Sequence, residues 1–127
     1  MLMFRAFVGW IIFIAVIALA IISNDSARHF IDLPSLLVVA LGMIAFMIAA
    51  PSGLINRLEY AASGAVTSGW LGFVIGLVIT LRNAESFEAT AIAPALSIMV
   101  LPVFYGYMIS VLMSFMVNAL DDTSDEL

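Results

Sequence analysis

The side chains able to carry charge are few: four arginines, nine carboxylates and one histidine in 127 residues. They fall in clusters: Arg5; Asp25, Arg28, His29 and Asp32; Arg57 and Glu59; Arg82, Glu85 and Glu88; and Asp121, Asp122, Asp125 and Glu126. The long runs between clusters hold none. A proton relay or ion site at membrane depth normally needs an ionisable side chain inside such a run. Small multidrug exporters of this length depend on a carboxylate in their first span, and none is present here, which excludes that reading. No Ser-His-Asp set and no phosphate-cradling loop appears, and cysteine is absent. A metal centre needs several converging ligands, so the single His29 reads as an interfacial or loop residue. The acidic tail could hold cations or a basic partner; a run of like charge is more often a solvated end. The sequence therefore predicts no enzyme activity, no metal and no cofactor.

What remains is the chemistry of small and hydroxyl-bearing residues. Gly64, Ser68, Gly72, Gly76 and Thr80 recur every four positions, and so do Pro102, Gly106, Ser110, Ser114 and Asn118. Residues four apart share one helix face. In lipid, helices gain little by hiding leucine; they associate where small residues let backbones approach and hydroxyls or amides bond across. A strict four-residue repeat drifts on a 3.6-residue helix, and a right-handed crossing keeps it in contact.

Such stripes need apolar helices to carry them, and the composition provides these. The chain is 65% hydrophobic and 10% charged, against about 25% charged for a soluble domain. A soluble chain this short could not hide that much apolar surface, so lipid must solvate most side chains. The formal net charge of −5, with no lysine, excludes nucleic acid, which needs a basic face. It also excludes anchoring by anionic headgroups.

A spanning helix needs about 20 mostly apolar residues. The charge clusters divide the chain into an all-α polytopic membrane protein of four transmembrane helices, a single domain over 1–127. The spans are expected at 6–22, 33–50, 61–81 and 91–120, followed by an acidic tail at 121–127. Asp32 can cap the second span, and Pro34 suits a first helical turn. Pro51-Ser52-Gly53 stops that span, and Asn56, Arg57 and Glu59 form the next polar knot. The fourth span, at about 1.5 Å per residue, would exceed a hydrocarbon core of about 30 Å, so it tilts or projects. The first span carries Arg5 and an Ala18-Leu19-Ala20 triplet resembling a leader cleavage site, yet is expected to stay in the chain. Orientation by the positive-inside rule is a tie, with Arg5 and Arg57 on one side and Arg28 and Arg82 on the other.

The first span has no small-residue stripe and reads as lipid-facing. The second is intermediate, with Gly42, Ala45 and Ala49 as possible contacts. The third and fourth read as the packed pair, one wall on each other and the other awaiting a partner. That suits a ring with spans three and four toward its axis. It fits equally well with packing inside a four-helix monomer or a dimer.

Three segments add a resemblance. Phe30 to Gly42 reads FIDLPSLLVVALG, and Ile48 to Gly53 reads IAAPSG. This is similar to the second span of the flagellar stator A subunits of the MotA/PomA type, with Phe30, Asp32, Pro34 and Ser35 in the motif. Gly69 to Leu81, GWLGFVIGLVITL, resembles the family's third span. Arg82 to Glu85 resembles its short outer turn. Ile92 to Leu96 and Phe104-Tyr105-Gly106 fall where the fourth span has its proline-alanine start and its leucine-tyrosine-glycine.

The resemblance, to the wider MotA/TolQ/ExbB family, implies a homopentamer around a dimer of a single-span partner of MotB or ExbD type. That partner would supply the ion-carrying aspartate. It implies a bacterial inner-membrane protein with both termini cytoplasmic, which breaks the tied charge count. Candidate axis-lining or helix-packing residues are then Ser68, Gly72, Phe73, Gly76, Thr80, Pro102, Val103, Gly106, Ser110, Ser114 and Asn118. The chain departs from the family in three respects. The cytoplasmic domain between spans two and three shrinks to Gly53 through Tyr60. Phe73, Pro102 and Val103 stand where conducting members tend to carry hydroxyls. Val66 replaces a common proline. The expected function is a ring subunit of a stator-like ion-driven motor or energy-transducing complex. The alternative is a non-conducting structural or lipid-binding scaffold.

Overall fold

The computed structural model describes residues 2–23, 27–83 and 88–125. The hydrophilic residues Asn24 to Ser26, the turn Ala84 to Phe87 and the last two residues of the acidic tail lie outside the described residues, as does the side chain of His29. The architecture is all-helical. Helix α1 is Leu2–Ile22, α2 is Leu33–Ala49, α3 is Leu54–Arg82 and α4 is Ala89–Asp125, with a 3-10 turn at Ala27–Phe30 before α2.

Three of these helices are long and apolar enough to cross a membrane: 3–22, 54–82 and 90–121. Helix α2 has 17 residues, about 25 Å of rise, short of a hydrocarbon core of about 30 Å. Its boundaries follow local chemistry. Asp32, in an extended conformation, accepts the Ser35 N–H at 3.1 Å, and Pro34 sits in the first turn, where its missing donor costs nothing. Pro51 lies just beyond the other end.

Helix α3 begins earlier than the charge pattern suggests. Asn56, Arg57 and Glu59, expected in a connecting knot, ride on its first turns instead. Gly53 at φ 117° turns the chain sharply. The Asn56 amide donates to the Ser52 carbonyl at 3.0 Å, and the Arg57 N–H donates to the Gly53 carbonyl at 3.1 Å. Leu58, Ala61 and Ala65 then form a buried face at helical spacing. Helix α4 likewise runs on through Asp121 to Asp125, taking in residues expected in a separate tail. Pro94 and Pro102 lie inside α4.

Helices α2, α3 and α4 enclose the core. Val39, Leu58, Ala61, Ala65, Met99 and Leu101 are buried there with Ser35 and Ser68. Helices α2 and α3 run antiparallel in steps of four: Val38 lies beside Gly72, Gly42 beside Ser68 and Phe46 beside Gly64. This is the interdigitation of two four-residue ridges. Helix α1 stands apart. No residue of its apolar span is buried, and it packs chiefly on α4. There Gly9 faces the Phe115 ring, and Phe13 approaches the same ring at 6.3 Å. Trp10 stacks on Phe7, and its buried indole N–H has no acceptor among the described residues. The α1–α4 contact puts the first turns of α1 beside the last turns of α4, at one end of the molecule.

Candidate functional site

The second-span motif is tied to the fourth helix. The Tyr105 hydroxyl donates to the Phe30 carbonyl and accepts the Asp32 N–H at 2.9 Å. The Phe30 ring meets Phe104 edge-on at 5.4 Å. The Ser35 hydroxyl donates to the same Asp32 carboxylate oxygen that caps the helix. One tyrosine in the middle of α4 thus fixes both peptide groups flanking Ile31, and Asp32 fixes the start of α2. Val38 faces Gly72 and the helices run antiparallel. Asp32 is therefore level with the turn around Val78, about one helical turn short of Arg82.

The α3 stripe divides between two neighbours. Gly64 and Ser68 face α2; a methyl built on Gly42 would overlap the Ser68 hydroxyl, and one on Gly64 would lie 2.6 Å from Phe46 Cβ. Gly72 sits between Pro102, 3.0 Å from such a methyl, and Val38, at 3.4 Å. Gly76 faces Met99 at 2.9 Å, and the Thr80 hydroxyl contacts the Met99 sulfur at 3.5 Å. The wall of α3 expected to await a partner is therefore covered by α2 of the same chain, because α2 carries its own glycine at the closest point.

The tightest contact between α3 and α4 uses a column one residue further round. A methyl on Gly69 would lie 2.5 Å from the Pro102 carbonyl oxygen, and one on Gly106 would strike the Ala65 carbonyl oxygen. Pro102 and Gly106 are buried here, and Val103 is half-buried. Further along α4 the stripe leaves the core. Ser110 is half-buried and accepts the Ser114 hydroxyl at 2.9 Å, while Ser114 and Asn118 are exposed. They line a depression with Glu59, Ala62 and Val117.

Phe73 is half-buried and lies edge-on to Trp70 at 6.0 Å and 86°. The Trp70 indole N–H reaches the Tyr107 hydroxyl at 3.4 Å. These aromatics border an apolar face of α3 formed by Leu71, Val74, Ile75, Val78 and Ile79, all exposed in the single chain. Sequence reasoning missed Ala65 and Gly69 as the backbone contact and Trp70 and Tyr107 as a cross-helix pair. The spacing of Gly69 from Ala65 was the available signal for the first. No family model, curated protein or solved structure matches the chain.

Proposed function

We propose that the chain is the ring-forming subunit of a stator-like, ion-driven energy-transducing complex in a bacterial inner membrane. In this reading all four helices span, with both termini cytoplasmic, and the homopentamer surrounds a single-span partner of MotB or ExbD type. The partner supplies the ion-carrying aspartate. The observation that carries the reading is the bonding of Phe30 and Asp32 to Tyr105. Two of the segments that resemble the stator subunits, the second-span motif and the fourth-span Phe104-Tyr105-Gly106, are bonded to each other although they lie more than seventy positions apart.

Two features add support. The hairpin of α3 and α4 is closely packed and presents an apolar face on α3 that α2 leaves uncovered, suited to a neighbouring copy. Helix α1, unburied and attached to one side of α4, suits a lipid-facing periphery. The short α2 would then span by local thinning or tilt of its neighbours, at modest cost.

A second reading is a non-conducting scaffold of the same shape. It draws on Phe73, which lies edge-on to Trp70 and stands where conducting members of the stator family tend to carry a hydroxyl. Affinity purification in mild detergent separates the readings. A co-purifying single-span chain with one aspartate in its span supports the motor subunit. Purification of a homo-oligomer alone from its native membrane supports the scaffold.

A further inference from the structure

One outward face of the α3–α4 hairpin changes its chemistry half way along. On α3, Glu59, Ser63, Thr67 and Trp70 follow one another at steps of four, four and three, which keeps them on one helix face. On α4, Asn118, Ser114 and Tyr107 do the same at steps of four and seven, and all seven side chains are exposed in the single chain. The two columns adjoin at both ends. Glu59, Ser114 and Asn118 share the depression near the termini, and the Trp70 indole N–H reaches the Tyr107 hydroxyl at 3.4 Å. Beyond that pair the columns continue as Val74 and Val78 on α3 and as Val100 and Leu96 on α4, exposed and wholly apolar. We propose that in the assembled ring the hydrogen-bonding half of this face lines a water-filled vestibule. It opens at the end that holds the termini and closes at mid-span on Trp70 and Tyr107.

Depth separates this from an ordinary polar helix end. Thr67 stands ten residues from Arg57, about 15 Å at 1.5 Å per residue, or half of a hydrocarbon core of about 30 Å. Lipid offers no hydrogen bond there. Ser97 and Ser114 return their hydroxyl hydrogens to carbonyls of their own helix. The Ser63 and Thr67 hydroxyls have no partner among the described residues, and neither has the hydroxyl hydrogen of Tyr107. Facing lipid, these groups would stay unsatisfied at a cost that water removes. The depression at the mouth has about 280 Å³, room for several waters at about 30 Å³ each.

A lipid-facing surface gives no reason for one half to be polar and the other apolar. A neighbouring copy does: it covers the apolar half and leaves the polar half open to water. The vestibule rests in this respect on the proposed ring.

The chain has no cysteine, so a single introduced thiol reports contact with water. Thr67→Cys, Ser63→Cys and Val74→Cys are placed in lipid nanodiscs, which are open to reagent on both faces. The reagent is a trimethylammonium methanethiosulfonate, a fixed cation that stays out of hydrocarbon and modifies the thiolate. Val74 lies about 12 Å from Arg82 at 1.5 Å per residue, nearer its end of the span than Thr67 is to Arg57, so depth alone would favour Val74→Cys. Thr67→Cys and Ser63→Cys are expected to react at least tenfold faster than Val74→Cys, and all three alike once dissolved in sodium dodecyl sulfate. Circular dichroism checks that the helices are kept, and Ser110→Cys serves if Thr67→Cys does not fold. Reaction of Thr67→Cys no faster than that of Val74→Cys would overturn the vestibule. Native mass spectrometry of the same samples separates this from the ring. Five chains with a slow Thr67→Cys would reject the vestibule and keep the ring; a monomer with a fast Thr67→Cys would reject the ring and keep the water-filled face.

Discussion

Gly69 and Gly106 are reciprocal partners across the α3–α4 hairpin. Each turns its bare Cα toward the carbonyl of the residue four positions before the other, Pro102 for Gly69 and Ala65 for Gly106. The following residues match too: methyls built on the two glycines would lie 3.2 Å from the Val103 and Val66 Cα atoms respectively. This places two backbones in direct contact, where Cα–H groups face carbonyl oxygens. Alanine at either glycine must push the helices apart, because the obstacle is backbone. Overpacking of this kind costs about 1–3 kcal/mol. Both Gly69→Ala and Gly106→Ala are expected to lower the thermal midpoint in detergent. The double variant should cost less than the sum, since the first separation accommodates the second methyl. Ile12→Phe, on the exposed face of α1, should change little.

A second close approach is set by one side chain against one glycine. A methyl on Gly42 would overlap the buried Ser68 hydroxyl, so Gly42→Ala is expected to destabilise by about 1–3 kcal/mol. Here the obstacle can be removed. Ser68→Gly in the same chain should recover a large part of the loss, which thermal unfolding of the four-member cycle would show. Purely additive losses would mean that α2 and α3 do not meet at this point.

Tyr105 gives a sharper prediction. Its hydroxyl serves the Phe30 carbonyl and the Asp32 N–H together. Tyr105→Phe keeps the ring and strands both groups in a partly buried site. The expected cost is about 1–3 kcal/mol, the scale of an unsatisfied buried polar group. Hydrogen exchange at Asp32 should speed up before that in the middle of α2. Ser35→Ala leaves the Asp32 cap on the Ser35 N–H intact and should cost less.

These three sites differ in how well the sequence foretold them. Asp32 and Pro34 announced the start of α2, because capping chemistry is local and leaves its residues side by side. The four-residue stripe on α3 meets close neighbours at Gly64, Gly72 and Gly76, whereas on α4 Pro102 and Gly106 are buried and Ser114 and Asn118 are exposed. The stripes did not say which neighbour each column serves. Successive residues turn by about 100°, so Ser68 and Gly69 face different helices, and a pattern within one helix carries no label for its partner. Counting the polar trio Asn56, Arg57 and Glu59 as a connection hid the early start of α3, since Leu58, Ala61 and Ala65 continue the buried face through it. The bond from Tyr105 to Phe30 lay beyond sequence reasoning, because a lone tyrosine in an apolar helix gives no periodic signal for a partner so far away.

Conduction follows from what stands at mid-span. The apolar stretch of α3 around Phe73 holds no ionisable side chain, and an ion crossing hydrocarbon needs polar groups to replace its water. The chain alone, in liposomes, is expected to pass no ions above the lipid background. Phe73→Ser removes the ring that packs on Trp70 and places a hydroxyl at that level. It should raise ion leak if Phe73 faces a ring axis, measured as dissipation of an imposed potential by a fluorescent dye. No change in leak would mean that Phe73 packs between helices and leaves the axis untouched.

A ring of identical copies, as proposed, would be built on the apolar face of α3 that its own α2 leaves bare. Native mass spectrometry of the protein released from gentle detergent tests this most directly. A mass of five chains is expected, with or without a bound single-span dimer. That pentamer is expected to be lost when Val74 and Val78 are both replaced by asparagine while the monomer keeps its helical content. A monomer or dimer as the largest species from the unaltered protein would contradict the ring.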